Sequence, residues 1–231
     1  MLSAMILLVP HRGKFITIEG LDGCGKSTQL KKLEKVLRSD GLDVVVTREP
    51  GGTATGEKIR KVLLDTGTAN LSPLAELALM FASRAQHLKE VIQPALNEGK
   101  IVLCDRFTDS TEAYQGGGRK LGSEPVLALH RILCGNIQPD LTILMDSDVA
   151  ASVERARRRN SAANNGKRGD ENRFEQESRG FFGRVRSAYL AIAGRESQRV
   201  AVVNARGSAD ETHKQILLLV KKKLKLAART A

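Results

Sequence analysis

The stretch GLDGCGKST, residues 20–28, constrains this chain more than any other. Gly20 to Ser27 completes the pattern G-x-x-x-x-G-K-[ST]. An apolar run, Phe15–Glu19, precedes it, and a segment placing Leu30, Leu33 and Leu37 on one helical face follows. A strand feeding a glycine loop that opens a helix turns backbone N–H groups and a helix N-terminus towards a bound anion. The loop Gly20, Leu21, Asp22, Gly23, Cys24, Gly25, Lys26, Ser27 and Thr28 is therefore expected to cradle the phosphates of a nucleotide such as ATP. In such a loop Lys26 reaches the outer phosphates and the Ser27 hydroxyl ligates Mg²⁺. Cys24 has two readings: a thiol acidified by Lys26 and the helix start, or a small residue in a tight loop.

The remainder alternates strand and helix. Val44–Thr47, Ile101–Asp105, Leu141–Asp146 and Val200–Asn204 read as further strands, buried runs without polar alternation. Lys26–Arg38, Glu57–Leu64, a long stretch Ser72–Glu98 and Asp210–Arg229 read as helices. Strands of this kind alternating with helices predict a parallel sheet of about five strands covered by helices on both faces. Ligands then collect at the carboxyl ends of the strands. With 231 residues and 41% hydrophobic residues the chain suits one domain with a sizeable core, and at 3% aromatic that core is expected to be mainly aliphatic. Residues 1–13 read as an N-terminal extension without the features of a signal peptide. No stretch is long enough to span a membrane, and three scattered cysteines suit reduced thiols in the cytoplasm.

Two arginines follow strand ends directly: Arg48 in TREPGGT and Arg106 in DRFTDSTEAYQGGGR. In a chain with a phosphate loop they suggest a second phosphate site facing the first. Asp105, beside Arg106, is placed to hold a metal-bound water. Asp146 and Asp148 end another strand, with a metal-water contact and a helix-capping role both open. A guanine-reading N-K-x-D is absent, which argues against a GTPase switch. The formal charge of +11 and the lysine-rich C-terminus leave a nucleic-acid-binding ATPase as a rival. A basic outer helix face explains those lysines more simply, so neither a nucleic-acid nor a membrane partner is expected.

GLDGCGKST, TREPGGT, MFASRAQHL, DRFTDSTEAYQGGGR and a basic segment near residues 155–173, in this order, resemble the bacterial thymidylate kinases over roughly residues 14–206. The resemblance implies a P-loop kinase fold with a mobile lid, transfer of the ATP γ-phosphate to dTMP, and a cytoplasmic homodimer. It implies that Arg48 and Arg106 grip the dTMP phosphate and that Asp22 contacts the deoxyribose. Arg84 would meet a thymine carbonyl, Thr111 and Gln115 the base edge, and Tyr114 the sugar. The family stacks an aromatic on the base four residues before the arginine; here Met80 stands there and Phe81 follows, so Phe81 or Met80 takes that place. One branch of the family carries an arginine inside the loop. This chain has Gly23, which resembles the branch that sends arginines from the lid. Arg158 is the expected catalytic member, on a face shared with Arg155 and Arg159, with Arg157 pointing elsewhere and Arg173 beyond.

Overall fold

The computed structural model describes residues 13–68, 70–163 and 173–225. The expected N-terminal extension, apart from residue 13, lies outside the described residues, as do residues 164–172 of the expected lid and the last residues of the expected C-terminal helix. Five strands, β1 (Lys14–Glu19), β2 (Val44–Arg48), β3 (Ile101–Asp105), β4 (Leu141–Asp146) and β5 (Val200–Asn204), form one sheet in the order β2-β3-β1-β4-β5. Every pairing is parallel, and Arg48 stands in register with Asp105. The carboxyl ends of β1, β2, β3 and β4 therefore lie along one edge, where the glycine loop, Arg48, Arg106 and Asp146 emerge together.

Alternation along the strands sorts the core. Ile16, Ile18, Leu103, Ile143 and Met145 face α1 (Lys26–Ser39) and α9 (Ala209–Leu224), joined by Leu30, Leu33, Leu37, Ile216 and Val220. This side is aliphatic, as composition suggests. The opposite side departs from that expectation. All six Phe and both Tyr of the chain lie there, in two clusters formed with α3 (Pro73–His87), α6 (Ser123–Cys134) and α8 (Arg179–Arg195). Few aromatics are present, but they are concentrated beneath the strand ends that carry Arg106.

Helix boundaries follow local chemistry. α2 (Ala54–Leu64) starts earlier than predicted because the Thr53 hydroxyl accepts from Gly56 N–H at 2.9 Å, an N-cap. The predicted Ser72–Glu98 helix divides into α3, a π-type turn at Leu88–Ile92, and α4 (Gln93–Asn97). Pro94 lacks an N–H and crowds the preceding turn, which a wider π turn accommodates. α5 (Thr108–Thr111) runs into a second π-type turn, Glu112–Gly118. α7 (Val149–Ala163) continues through Arg155–Arg159, so the first half of the expected lid is helical. The C-terminal helix is closed at its start by a Ser208–Glu211 capping box and ends at Leu224, followed by left-handed Lys225.

The glycines of QGGGR let α8 pack closely on the π-type turn. A Cβ on Gly118 would lie 2.5 Å from Phe181 Cε2 and 2.9 Å from Val185 Cγ2. Gly118→Ala is expected to destabilise the fold by about 1–3 kcal/mol through overpacking, measured by chemical denaturation. An unchanged midpoint would show that α8 can shift at no cost.

Candidate active site

The glycine loop wraps from β1 into α1. Gly25 caps the helix in a left-handed conformation, φ 101. Leu21 and Cys24 turn their side chains inward, at 3% and 6% exposure, so their backbones and not their side chains face the loop's mouth. Gly25, Ser27 and Thr28 are exposed there. Burial pushes the Cys24 thiol up, against the pull of Lys26, so the acidified-thiol reading is set aside in favour of a small packed residue. Lys26 is folded under the loop, its Nζ donating to Gly20 O at 3.2 Å and Leu21 O at 3.0 Å and lying 3.7 Å from Asp22.

Ser27 Oγ lies 3.5 Å from Asp105 Oδ2. The other Asp105 oxygen, Oδ1, is buried with no hydrogen-bond partner among the described residues. A hydroxyl beside an unsatisfied carboxylate oxygen is a hard-oxygen donor set of the kind Mg²⁺ takes when phosphates complete its shell. No cluster of three or more His, Cys, Asp or Glu suited to a metal occurs among the described residues, so the protein alone offers no closed cage.

Arg106 anchors the second half of the site. Its Nη2 donates to Asp22 Oδ1 at 2.8 Å and to the Tyr114 hydroxyl at 3.2 Å. Its Nη1 donates to Ser110 Oγ at 3.0 Å and to the Tyr189 hydroxyl at 3.2 Å. The guanidinium also sits 4.9 Å from the Tyr114 ring centroid. Burial pushes the Asp22 carboxyl up, but Arg106 and Lys26 outweigh it and hold it well below the usual carboxylate range. Arg48, on the neighbouring strand end, pairs with Glu57 at 3.1 Å and is 55% exposed.

Arg84 is buried on α3, with Nε on Glu49 Oε2 at 2.7 Å and Nη2 on Thr111 Oγ1 at 2.7 Å. Its Nη1 has no hydrogen-bond partner among the described residues. Gln115, one π turn beyond Thr111, donates its Nε2 to Glu76 Oε1 at 2.7 Å, and its Oε1 is likewise buried and unpartnered among the described residues. Phe81 is 0% exposed, and the Arg84 guanidinium lies 4.7 Å from its ring centroid. Met80 is half-buried beside the cluster containing Tyr114 and Phe174.

The basic helix is also sorted. A Cβ on Gly23 would lie 2.1 Å from Ser152 O and 2.9 Å from Ala156 N, so the loop packs against the backbone of α7 and position 23 excludes an arginine. Arg155 Nε donates to Gly23 O at 2.8 Å, and Arg159 adds to the positive field that lowers Asp22. Ser152, Arg155, Ala156 and Arg159 thus form the helix face turned to the loop. Arg158, the expected catalytic arginine, stands 72% exposed and pairs with Glu154 one turn back. Arg157 donates to the Glu175 carbonyl at 3.0 Å, and Arg173 is buried, 2.7 Å from Glu76. Asp146 receives both arms of Arg186, at 2.7 Å and 2.8 Å, and Asp148 caps α7 through Ala151 N–H at 2.8 Å, so both act structurally.

Behind these arginines lie buried carboxylates that no motif marks: Glu19, Glu49 and Glu76 are 0%, 4% and 0% exposed. The signal was available for Glu76, because Glu76, Met80 and Arg84 fall at helical spacing on one face. Glu49 holds Arg84 and also lies 3.0 Å from His87 Nδ1. Burial raises the Glu49 carboxyl, yet Arg84 and His87 bring it below its ordinary 4.5. A carboxyl depressed in the folded state adds stability above its unfolded-state pKa and loses it as pH falls through the folded-state value. Glu49→Gln is therefore expected to cost about 3–5 kcal/mol at neutral pH, leaving Arg84 buried without its counter-ion. It should also show a shallower loss of Tm on acidification than the parent. Parallel melting curves across the acid range would refute the assignment.

The sequence model of thymidylate kinase matches residues 18–216. A thymidylate kinase of Pelobacter propionicus is 49% identical over 208 residues, covering 90% of this chain and 94% of the relative. One from Geobacter sulfurreducens is 50% identical over 201 residues, covering 87% and 92%. The crystal structure of thymidylate kinase from Ehrlichia chaffeensis superposes with a TM-score of 0.70 at 31% identity, covering 90% of this chain and 99% of that one.

Proposed function

This chain belongs to the thymidylate kinase family, and we propose that it is a single-domain enzyme transferring the γ-phosphoryl group of ATP to dTMP, giving dTDP, with Mg²⁺. The observation that carries the choice of acceptor is the pair of unpartnered buried atoms, Arg84 Nη1 and Gln115 Oε1. One is an N–H donor and the other a carbonyl acceptor. Glu76 at Gln115 Nε2 decides which end of the amide is left over, because a carboxylate cannot face the carbonyl end. A thymine edge offers the complement: a carbonyl at O4 and an N–H at N3. Cytosine presents an amino group and a bare nitrogen at the same places, so it opposes both. Thr111 fixes the Arg84 fork, and Met80 packs on the base in place of an aromatic.

Arg106 and Arg48 bind the dTMP phosphate from adjacent strand ends, and Asp22 and Tyr114 hold Arg106 while facing the sugar. The glycine loop holds the ATP phosphates, with Lys26 leaving its loop carbonyls for the outer phosphate oxygens. Ser27 and Asp105 would hold Mg²⁺, which supplies charge neutralisation for the phosphates when bound. No side-chain nucleophile is needed, because transfer between phosphates is governed by position and positive charge. Arg155 and Arg159, on the face of α7 turned to the loop, supply that charge in place of a loop arginine.

No helix among the described residues is long and apolar enough to cross a membrane. We place the enzyme in the cytoplasm as a homodimer. The exposed Leu74 on α3 and Ile132 on α6, at 64% and 75%, support an interface over those packed helices.

Steady-state kinetics test the assignment. Lys26→Ala is expected to lower kcat by at least about 100-fold. Arg106→Ala is expected to raise the dTMP KM by about 10–100-fold, the worth of a lost charge-assisted contact, with the ATP KM unchanged. An unaltered dTMP KM and kcat in Arg106→Ala would remove Arg106 from the acceptor site.

A further inference from the structure

Glu19 lies behind Arg106 and grips it from two directions. It closes β1, an otherwise apolar strand end, and is completely buried. Its Oε1 accepts from the backbone N–H of Phe107 at 2.7 Å, the peptide that directly follows Arg106. Its Oε2 accepts from the hydroxyls of Ser110 and, at 3.0 Å, Tyr189. Those two hydroxyls are the acceptors of Arg106 Nη1. The Arg106 backbone is itself left-handed, φ 72, a conformation that a side chain of this size keeps only when its surroundings over-determine it.

We infer that Glu19 is a positioning residue, holding the Arg106 backbone through Phe107 N–H and aiming its guanidinium through Ser110 and Tyr189, so that it sets the affinity for the acceptor's phosphate. The inference rests on the proposed function of Arg106 in binding dTMP.

Proton counting makes the arrangement specific. Glu19 Oε2, Ser110 Oγ and Tyr189 Oη are mutual hydrogen-bond neighbours, the two hydroxyl oxygens 2.7 Å apart. A ring of three contacts needs three protons, and the hydroxyls bring two. With the third on Glu19, each hydroxyl donates once and accepts once in the ring and keeps a lone pair for Arg106. With Glu19 ionised, one edge joins two oxygens without a proton, and the hydroxyls must turn. Burial and then the Asp109 charge push Glu19 up to about 7, against Ser110, Arg106 and Phe107 N–H. The other ionisable groups acting on this pocket are Tyr189 from α8, Cys104 from β3, and Arg199, whose charge is engaged by Asp109 at 2.7 Å. Ser110, Arg106 and Phe107 N–H all favour the ionised form, so loss of the ring proton near neutrality draws Arg106 towards Glu19 and away from the acceptor's phosphate.

Glutamine supplies the test, because its carbonyl can accept from Phe107 while its amino group gives the ring a permanent donor. Initial rates with dTMP and with ATP varied would be measured from about pH 6 to about pH 9, spanning the Glu19 transition. In the parent enzyme the dTMP KM is expected to rise several-fold as pH passes 7, with no parallel change in the ATP KM. Glu19→Gln is expected to lose this rise. Glu19→Ala is expected to raise the dTMP KM about tenfold at every pH, the worth of one charge-assisted hydrogen bond. Ionisation of the dTMP phosphate appears in every profile and cancels in the ratio to the parent. Should Glu19→Ala not fold, Tyr189→Phe carries the same expectation in smaller degree.

The inference is overturned if Glu19→Gln follows the parental pH profile. It is equally overturned if Glu19→Ala or Tyr189→Phe lowers only Tm and leaves the dTMP KM at the parental value. A parent enzyme without dTMP turnover would overturn the proposed function itself, and this inference with it.

Discussion

A buried guanidinium must find an acceptor for nearly every N–H, and the site is organised around meeting that demand for Arg106. Its partners come from the glycine loop (Asp22), α5 (Ser110), the following π-type turn (Tyr114) and α8 (Tyr189). Removing a cation from water costs several kcal/mol unless such contacts replace hydration. The arrangement therefore ties the phosphate loop, the β3 end and the aromatic face of the core into one unit. The aromatics of that face flank its arginines: the Tyr114 ring lies 4.9 Å from the Arg106 guanidinium, Phe81 and Phe107 flank Arg84, and both tyrosines supply hydroxyls to Arg106.

The same logic recurs at Arg84 and at Arg119 with Arg173. Glu49 neutralises Arg84, and Glu76 lies 3.1 Å from Arg119 and 2.7 Å from Arg173. Each carboxylate does more than balance charge. Glu49 holds the Arg84 fork while its Nη1 has no hydrogen-bond partner among the described residues, and Glu76 fixes the direction of the Gln115 amide. Buried acids thus set the orientation of the groups proposed to meet the substrate.

Much of this was legible from local pattern. The glycine loop, all five strands and the arginines at the ends of β2 and β3 follow from motif spacing and apolar runs, because those signals are short-range. The π-type turns were not read, since Pro94 and the glycines of QGGGR distort helical spacing, and α6 and α8 were given no bounds. Phe81 and Met80 are adjacent in sequence, and only the way α3 rolls against the sheet buries one and leaves the other at the rim. The arginines of α7 show the same limit. Spacing puts Arg155, Arg158 and Arg159 near one face, but the close approach of Gly23 to Ser152 decides that Arg155 meets the loop, while Arg159 lies 3.6 Å from Glu175. Buried acids such as Glu19 carry no local mark, because a carboxylate at a strand end is expected in water.

Base choice is the claim on which the rest converges, and it rests on the Arg84 Nη1 donor and the Gln115 Oε1 acceptor, buried without a partner among the described residues. The direct measurement is ADP release with dTMP and dCMP as rival acceptors under identical ATP and Mg²⁺. A site whose buried polar atoms are satisfied by one base and opposed by another is expected to favour dTMP by roughly 10⁴-fold in kcat/KM. Comparable turnover of both, or release with neither, would contradict the account.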